Sequence, residues 1–438
     1  MDKIPSVPEA PAQETVQRVT TRAERRRAFG ILFGSMMCLG AGQSVMFAVL
    51  PSLARELGLT ELQASLPFVA SAVIWVFSSG YWGRKSDLSG RRPIIILGLF
   101  AFGVSFASFA MVAQIGVNRL LPIIWVFPLM IATRMLYGIF GSGAAPSAQA
   151  YVADRTTRAE RTQGVATIGA AFGLGTTVGP GIGSVLVVFG LFAPFYFTAF
   201  MAFASAAAVW KFLPERTAPT GHKSVSITLR WYDKRVLPFI IFGLGLGTAG
   251  AIPVQTVGYL FIDVLHLTPA EAPQYIGIGL MAASMAALFA QLVVVQRFNM
   301  SSRTLIRWGV IIALVSNILF VFGNQFGPLV FALIISGFGF GMARPGYAAA
   351  ASLSVSPEEQ GAIAGLTGAT AGAGFIFGPI IGTKLYEWRP EAPYVFCVVL
   401  MAVLYVYAIA SPHLRNAGLL APESDAVDKS PQTQVPNA

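Results

Sequence analysis

Two segments place charged side chains and glycines at spacings that could carry chemistry. The first, GRKSDLSGRR, runs from Gly83 to Arg92. Its carboxylate, Asp87, can accept hydrogen bonds from helix N-termini or from a nearby arginine. Gly83 and Gly90 allow close backbone approach or a positive φ. Such a turn could clamp neighbouring helix ends; alternatively, its basic residues only anchor the topology.

The second segment, IATRMLYGIFGSGAAPSAQAYVAD, contains Arg134, which we interpret as the only charged residue well inside an apolar span. Burying an unpaired cation in a membrane costs from about 3 kcal/mol upward, so Arg134 should face the interior of a bundle. Arginine stays protonated at any working pH and therefore cannot itself titrate. The alternative is a structural arginine bonded to helix carbonyls.

The composition places both segments in a membrane protein. Of 438 residues, 55% are hydrophobic and only 11% are charged, whereas soluble domains carry about a quarter charged residues. The 45 glycines and 27 prolines lie in long apolar runs, where membrane helices tolerate them. Cys38 and Cys397 also lie in apolar stretches, which argues against a disulfide framework.

A helix needs about 20 apolar residues to cross the hydrocarbon core. Runs of that length predict an all-α integral membrane protein with twelve spans, at residues 28–50, 62–82, 93–117, 120–145, 164–188, 190–211, 236–262, 272–296, 304–325, 327–350, 362–385 and 392–412. The spans divide six and six. The predicted regions are an N-terminal tail (1–27), a first six-helix bundle (28–212), a linker (213–235), a second bundle (236–412) and a disordered C-terminal tail (413–438).

The basic residues predict the orientation, because short cytoplasmic loops retain Lys and Arg. With a cytoplasmic N-terminus, only Arg55, Arg119, Lys384 and Arg389 of the 30 Lys and Arg residues fall outside, and Arg134 lies within a span. Both termini, both tails and the linker are then cytoplasmic. The net charge of +10 follows from this topology beside a lipid bilayer, so we expect no nucleic-acid partner.

Two sequence echoes predict that the halves are related by duplication. LGLTELQA, from Leu57, recurs as LHLTPAEA, from Leu265, an offset of 265 − 57 = 208 residues. G-x-x-x-G-P-x-x-G in span five recurs in span eleven; the residues are Gly175, Gly179, Pro180 and Gly183, then Gly374, Gly378, Pro379 and Gly382. Chance matching of glycine-rich helices is the alternative. In duplicated transporters the substrate path lies between the repeats.

The loop pattern G-x-x-x-D-x-x-G-R-R, formed by Gly83, Asp87, Gly90, Arg91 and Arg92, resembles the signature of the major facilitator superfamily. The R-x-x-x-G pattern that begins at Arg134 in span four is similar to a second signature of that family. The resemblance implies two six-helix pseudo-symmetric bundles. It also implies that Asp154 and Arg161 join the charge cluster around Asp87, and that Arg134 assists proton transfer by setting a neighbour's pKa or holding a water.

The span-five motif resembles that of the family's twelve-helix drug/proton antiporters, of the tetracycline and multidrug efflux type. Glycines every four residues form a smooth face for another helix, and Pro180 bends its own helix. A bent, closely packed helix could act as a gate; the alternative is helix packing alone.

Antiport needs a group whose protonation changes with access, and carboxylates are the usual choice. We predict coupling through Asp87 with Arg134, while Asp154, Asp263, Glu56 and Glu61 are the other candidate carboxylates.

The family architecture implies a substrate path lined by spans one, four, seven and ten. The candidate cavity residues on these spans are Gln43, Met46, Phe47, Tyr137, Gln255 and Tyr347. For the two amides, hydrogen bonding between helices is the alternative. A cavity without fixed ionic partners would suit neutral or lipophilic cargo.

We therefore expect a monomeric, multi-pass transporter of the cell inner membrane that exports small amphipathic or drug-like compounds in exchange for protons. The alternatives are a proton-coupled uptake symporter for a small metabolite and, more remotely, a membrane-embedded enzyme or receptor. The sequence has no ATP-binding loop, no H-E-x-x-H motif and no credible nucleophile set, so we expect an ion gradient as the energy source and neither cofactor nor metal.

Overall fold

The computed structural model describes residues 22–156, 158–215, 229–298, 300–356 and 359–415. In these ranges it contains twelve helices that are long and apolar enough to cross a membrane, and no strands. In the first half they are α1 (Arg22–Leu57), α2 (Glu61–Ser89), α3 (Arg91–Val117), α4 (Ile123–Ala153), α5 (Arg158–Leu186) and α6 (Ala193–Phe212).

The second half contains six more spans and a short terminal helix. They are α7 (Leu237–Leu265), α8 (Ala272–Val295), α9 (Ser302–Phe322), α10 (Phe326–Ser352), α11 (Gln360–Trp388), α12 (Ala392–Ala410) and α13 (Pro412–Arg415). A 3₁₀ turn at Gly141–Gly143 interrupts α4, and a π-helical turn at Ala290–Val295 ends α8.

The number and order of the helices confirm the predicted twelve-span fold. Several helices extend beyond the predicted apolar runs, because backbone hydrogen bonding continues past the hydrocarbon. Thus α2 runs on to Ser89 and carries Asp87 in its last turns. The predicted tails and linker fall largely on residues 1–21, 216–228 and 416–438, which lie outside the described residues.

The duplicated glycine motifs occupy equivalent positions in the two halves. In the first half α5 packs along α1, and in the second α11 packs along α7. A Cβ placed on Gly175 would overlap the backbone carbonyl of Met37 in α1, and one on Gly374 would overlap the backbone of Gly247 in α7. Only glycine permits contacts this close, so the repeated motif corresponds to a repeated helix pair.

The halves meet mainly where α5 packs on α8 and α2 packs on α11. The largest apolar core fills the first half and continues into the second through 257–262, 272–280 and 329–333. A second core, which includes Phe242 and Met401, stays within the second half. The halves are therefore joined at the end that holds residues 50–62 and 258–277, which we name the closed end. The opposite end is the open end.

Candidate functional site: a central cavity and its closed end

A cavity of about 730 Å³ lies between the two halves. Its walls come from α1, α2, α4 and α5 of the first half and from α7, α8, α10 and α11 of the second. None of the described residues that line it belongs to α3, α6, α9 or α12. The predicted path along spans one, four, seven and ten is therefore part of a wall that eight helices share.

The predicted cavity residues separate into three groups. Gln43, Phe47 and Tyr137 line the cavity. Met46 is fully buried in the core of the first half, and Tyr347 is buried in the core of the second half, where its hydroxyl lies 3.1 Å from that of Thr370. Gln255 lines a separate small pocket towards the closed end, beside Tyr259 and Glu61.

Arg134 lies in the cavity wall among aromatic rings. Its side chain is only 1% exposed, and its Nη2 donates to Gln43 Oε1 at 3.1 Å. The guanidinium carbon is 5.0 Å from the ring centre of Phe106, 5.6 Å from that of Tyr137 and 5.7 Å from that of Phe68. These rings stabilise the cation, but Nε and Nη1 have no hydrogen-bond partner.

A second arginine, Arg344, lines the cavity, so the prediction that counts it among the cytoplasmic arginines is wrong. Arg344 lies inside α10, eight residues before the helix ends at Ser352. Its side chain is exposed to the cavity, and its guanidinium carbon is 5.5 Å from the ring centre of Phe340. Arg134 is therefore not the only charged residue within the spans, and the cavity does contain fixed ionic groups.

Aromatic side chains form much of the apolar wall near Arg134. Phe47 and Phe68 stack with ring centres 5.3 Å apart and planes 16° from parallel. The ring centres of Trp75 and Tyr137 are 5.2 Å apart. The rings of Phe47, Phe68, Trp75 and Tyr137 all line the cavity. Flat apolar molecules can be buried against such a surface without losing hydrogen bonds to water.

An ion-pair network joins the halves at the closed end. Arg55 Nη2, at the end of α1, lies 3.0 Å from Asp263 Oδ2 of α7 and 2.8 Å from Glu61 Oε1 of α2. Tyr386 of α11 donates to the same Asp263 oxygen at 2.7 Å. The guanidinium also lies over the ring of Tyr259, 5.5 Å from its centre. A single cation thus holds carboxylates from both halves.

Arg55 and Asp263 are 208 residues apart, which is the offset of the sequence repeat. The two are therefore equivalent positions in the two halves, with opposite charges. Equivalent positions near a pseudo-two-fold axis face each other, so the repeat itself predicts this ion pair. The carboxylate pattern predicts Asp263 and Glu61 only as candidate coupling groups, without Arg55 as their partner.

Close packing and main-chain hydrogen bonds complete the closed end. Leu62 N donates to Glu387 Oε1 at 3.2 Å, and Ser184 Oγ of α5 donates to the carbonyl of Pro273 in α8 at 3.0 Å. A Cβ on Gly277 would overlap Ser184 Oγ, so the two helices touch through glycine. These contacts, with the ion pairs, hold the two halves together at this end of the cavity.

At the open end, the loop motif forms a cluster within the first half. Arg91 pairs with Asp87, donates from Nε to Asp154 Oδ2 at 3.2 Å and from Nη1 to Ser86 Oγ at 2.8 Å. Arg161 is exposed and forms no ion pair with either carboxylate among the described residues. The structure therefore brings together Asp87 and Asp154 through Arg91, without Arg161.

The rest of the loop motif is tied to the end of α6. Gly90 adopts a φ of 94° between α2 and α3, a conformation that favours glycine. The backbone N–H of Arg92 donates to Glu215 Oε2 at 2.7 Å, and the Arg92 guanidinium donates to the carbonyl of Trp210. A Cβ on Gly83 would meet no neighbouring atom. The loop thus clamps α2 and α3 to the end of the same bundle.

The structure does not bring Asp87 and Arg134 together. The Asp87 side chain is 55% exposed and pairs with Arg91, whereas the described contacts of Arg134 are with Gln43 and three aromatic rings. The two residues occupy separate environments, one at the open end and one in the cavity wall.

The span-five motif contributes to two surfaces. Gly175 and Gly179 pack against α1, while Gly183 lies in ordinary contact with Val45 and Val49. Pro180 lines the cavity. In α11, Gly378 and Gly382 pack against Ala251 and Ile252 of α7, and Pro379 is buried. The motif therefore couples the position of each cavity-lining helix to its neighbour.

In the second half, Arg235 connects the segment before α7 to the start of α11. It pairs with Asp233 at 2.9 Å and with Glu359 at 3.0 Å. The hydrogen bonds from Arg235 lower the pKa of both carboxyls. Among the described residues, no group of three or more His, Cys, Asp or Glu side chains could hold a metal ion.

Twelve membrane helices in two related halves around a cavity that is closed at one end define a membrane transporter. The chain belongs to the Major Facilitator Superfamily, whose sequence profile matches residues 32–366 and 282–433. This match confirms the resemblance that the loop and helix motifs indicated.

The relatives and solved structures agree with this assignment. The chain is 26% identical over 395 residues to Multidrug resistance protein 2 of Bacillus subtilis, covering 87% of this chain and 94% of the relative. It is 24% identical over 401 residues to Quinolone resistance protein NorA of Staphylococcus aureus, covering 87% and 96%. The crystal structure of a mutant of the nucleoside transporter NupG has the same fold, with a TM-score of 0.72 and 15% identity over 88% of this chain and 99% of that one.

Proposed function

We propose that the protein is a secondary active exporter of small amphipathic compounds, which it moves across the inner membrane in exchange for protons. One observation carries this proposal: a cavity of about 730 Å³, with apolar and polar walls, lies between duplicated halves that ion pairs join at the closed end. In the topology that the basic residues predict, the open end faces the cytoplasm. Substrate therefore enters from inside the cell.

Export requires the closed end to separate while the open end closes. The glycine faces of α5 and α11 allow each to slide against α1 and α7, since no side chains interlock there. The Arg55–Asp263 pair is the charged contact that has to break. The loop cluster around Asp87 then acts at the open end. It is a part of the conformational switch that is separate from Arg134, which lies in the cavity wall.

Proton coupling in this proposal includes Asp263 at the closed end. A proton taken up by Asp263 removes the charge with which Arg55 pairs across the two halves, and so weakens the closed state. Among the described residues, the other titratable groups that interact with this network are Tyr259, Tyr386 and Tyr394. Glu387 accepts from Leu62 N, next to Glu61 in the chain, and pairs with Lys384. Protons arriving from the outer side would therefore favour opening towards that side.

The relatives support efflux over other uses of the fold, since both are resistance proteins by name. A compound that crosses the membrane unaided partitions into the cytoplasmic leaflet, and an inward-open apolar cavity can collect it. We propose that a single chain suffices, because the whole cavity lies within one pair of bundles.

The proposal is tested in everted membrane vesicles that are energised to an acid interior and followed with a pH-sensitive dye. Wild type, Asp87→Asn and vesicles without the protein are compared while drugs and metabolites are added. A compound that collapses the gradient in wild type alone establishes proton antiport. If no compound does so, although the protein is confirmed in the membrane, the antiport proposal is wrong.

Uptake of a metabolite with protons is the second candidate. Polar groups in the wall favour it: the amides of Gln43, Gln149 and Gln291 and the hydroxyls of Ser71 and Ser336 line the cavity and could bind a polar solute. The solved nucleoside transporter shares the fold. Accumulation of a labelled metabolite by whole cells, abolished by an uncoupler, would support uptake.

A further inference from the structure

The charged side chains in the wall of the central cavity are of one sign. Among the described residues that line it, the charged side chains are Arg134 in the first half and Arg344 in the second, and none is a carboxylate. A cleft lined by charges of one sign, with low-dielectric walls, focuses their field on a solute inside it. The site therefore carries two positive charges and no fixed negative charge within its wall.

Arg134 has hydrogen-bonding capacity that the protein does not use. It is 1% exposed, yet Nε and Nη1 lack partners, and Gln43 is the only described acceptor for its guanidinium. Aromatic faces offset part of the cost of burying the cation but accept no conventional hydrogen bond. A buried guanidinium with free donors needs an acceptor from outside the fold.

Arg344 presents its guanidinium to the same cavity without an acidic partner. No carboxylate of the described residues forms an ion pair with it, and its neighbours are the Phe340 ring and Gly250. A Cβ on Gly250 would lie 2.9 Å from Arg344 Nη2, so the head group lies close to α7 in the cavity wall. It lies about 12 Å along α10 from the helix end at Ser352.

A guanidinium is a planar fork of donors that matches a carboxylate or sulfonate. We propose that the cavity selects amphipathic organic anions: Arg344 binds the anionic group, Arg134 adds positive potential deeper in the site, and the apolar body lies against the aromatic wall that includes Phe47 and Phe68. This proposal rests on the proposed transport function and names its substrate class. Amphipathic cations are disfavoured by the same charges.

The test is binding to the purified full-length protein in lipid nanodiscs, measured by equilibrium dialysis. Three probes share one body and differ in charge: 1-pyrenebutyrate, its methyl ester and 1-pyrenebutylamine. We expect wild type to bind the carboxylate at least about tenfold more tightly than the ester or the amine. Equal affinities, or a preference for the amine, would overturn the proposal.

Variants then locate the anion site. Arg344→Gln should lower the affinity for the carboxylate by about tenfold and leave that for the ester within about twofold. Arg344→Lys, which keeps a point charge, should retain most of the preference. Arg303→Gln, on α9 outside the cavity wall, is the control and should bind like wild type. Unchanged carboxylate binding in Arg344→Gln, or an equal loss for carboxylate and ester, would contradict the assignment.

Binding and transport can fail separately. Anion-selective binding without gradient-driven movement in the vesicle assay would refute export while leaving the anion site intact. Gradient-driven movement of cations and neutral compounds, with no anion preference in dialysis, would refute the anion site while leaving export intact.

Discussion

Replacing Arg55 by glutamine should open the closed end in a larger fraction of molecules. Arg55 contacts Glu61 in its own half and Asp263 in the other, at 2.8 and 3.0 Å. Only the contact with Asp263 distinguishes the closed from the open arrangement, because the contact with Glu61 moves with the first half. Hydrogen bonds to charged groups contribute about 1.5–3 kcal/mol.

The free energy that the Arg55–Asp263 pair contributes should be smaller than this range, because water screens the pair. Both side chains are 35% exposed, and exposed ion pairs contribute about 0.2–1 kcal/mol. We therefore assign about 1 kcal/mol to the bond between the halves. A free-energy change of that size alters the ratio of open to closed molecules about fivefold.

Distance measurements between spin labels report this ratio. Labels are attached to cysteines introduced at Asn118 and Asn324, exposed positions that follow α3 and α9 at the closed end of each half, after replacement of Cys38 and Cys397. In double electron–electron resonance, Arg55→Gln should increase the long-distance population about fivefold relative to the short-distance one.

Glu56→Gln is the matched control, since Glu56 is exposed beside Arg55 and forms no ion pair among the described residues. It should leave the distribution unchanged. In the double variant with Asp263→Asn, the second substitution should add little, because the pair is already broken. An unchanged distribution in Arg55→Gln, or fully additive effects, would refute the gating role of the pair.

Two further substitutions test the packing and the open-end ion pairs. Gly179→Ala should destabilise the protein by about 1–3 kcal/mol and lower its melting temperature, because the new Cβ would overlap the Ala41 carbonyl, whereas Gly173→Ala enters open space on the same helix and should not. Arg235→Gln should lower the melting temperature at neutral pH. Arg235 holds the pKa of two carboxyls below their ordinary values of 3.8 and 4.5, so the stability it adds is present above those values and is lost as the pH falls below them. The difference from wild type should therefore shrink in acid; a constant difference would contradict this reasoning.

The sequence predicted the twelve spans because the thickness of the hydrocarbon core sets the length of each apolar run. It also predicted a closely packed glycine face on α5 and on α11, since glycines at every fourth residue have few other uses in a membrane helix, but it did not identify α1 and α7 as the partner helices. These features depend on local sequence, so no knowledge of distant contacts was needed.

Contacts between distant residues were harder to predict. Arg344 lies near the end of its apolar run, so the positive-inside pattern predicts a cytoplasmic position. The structure shows instead that its side chain lines the cavity. Met46 and Tyr347 were assigned to the cavity from their positions on the correct helices, but which face of a helix meets the cavity depends on its rotation. The Arg55–Asp263 pair could have been found by comparing charges at the repeat offset.

Substrate movement by the purified protein in proteoliposomes tests the central claim most directly. Wild-type protein alone is reconstituted, the vesicle interior is made acid, and the uptake of a compound that binds the protein is followed with time. We predict accumulation against its concentration gradient that stops when an ionophore dissipates the pH difference. Equilibration without accumulation, or no movement of a compound that binds, would contradict proton-driven export through the central cavity.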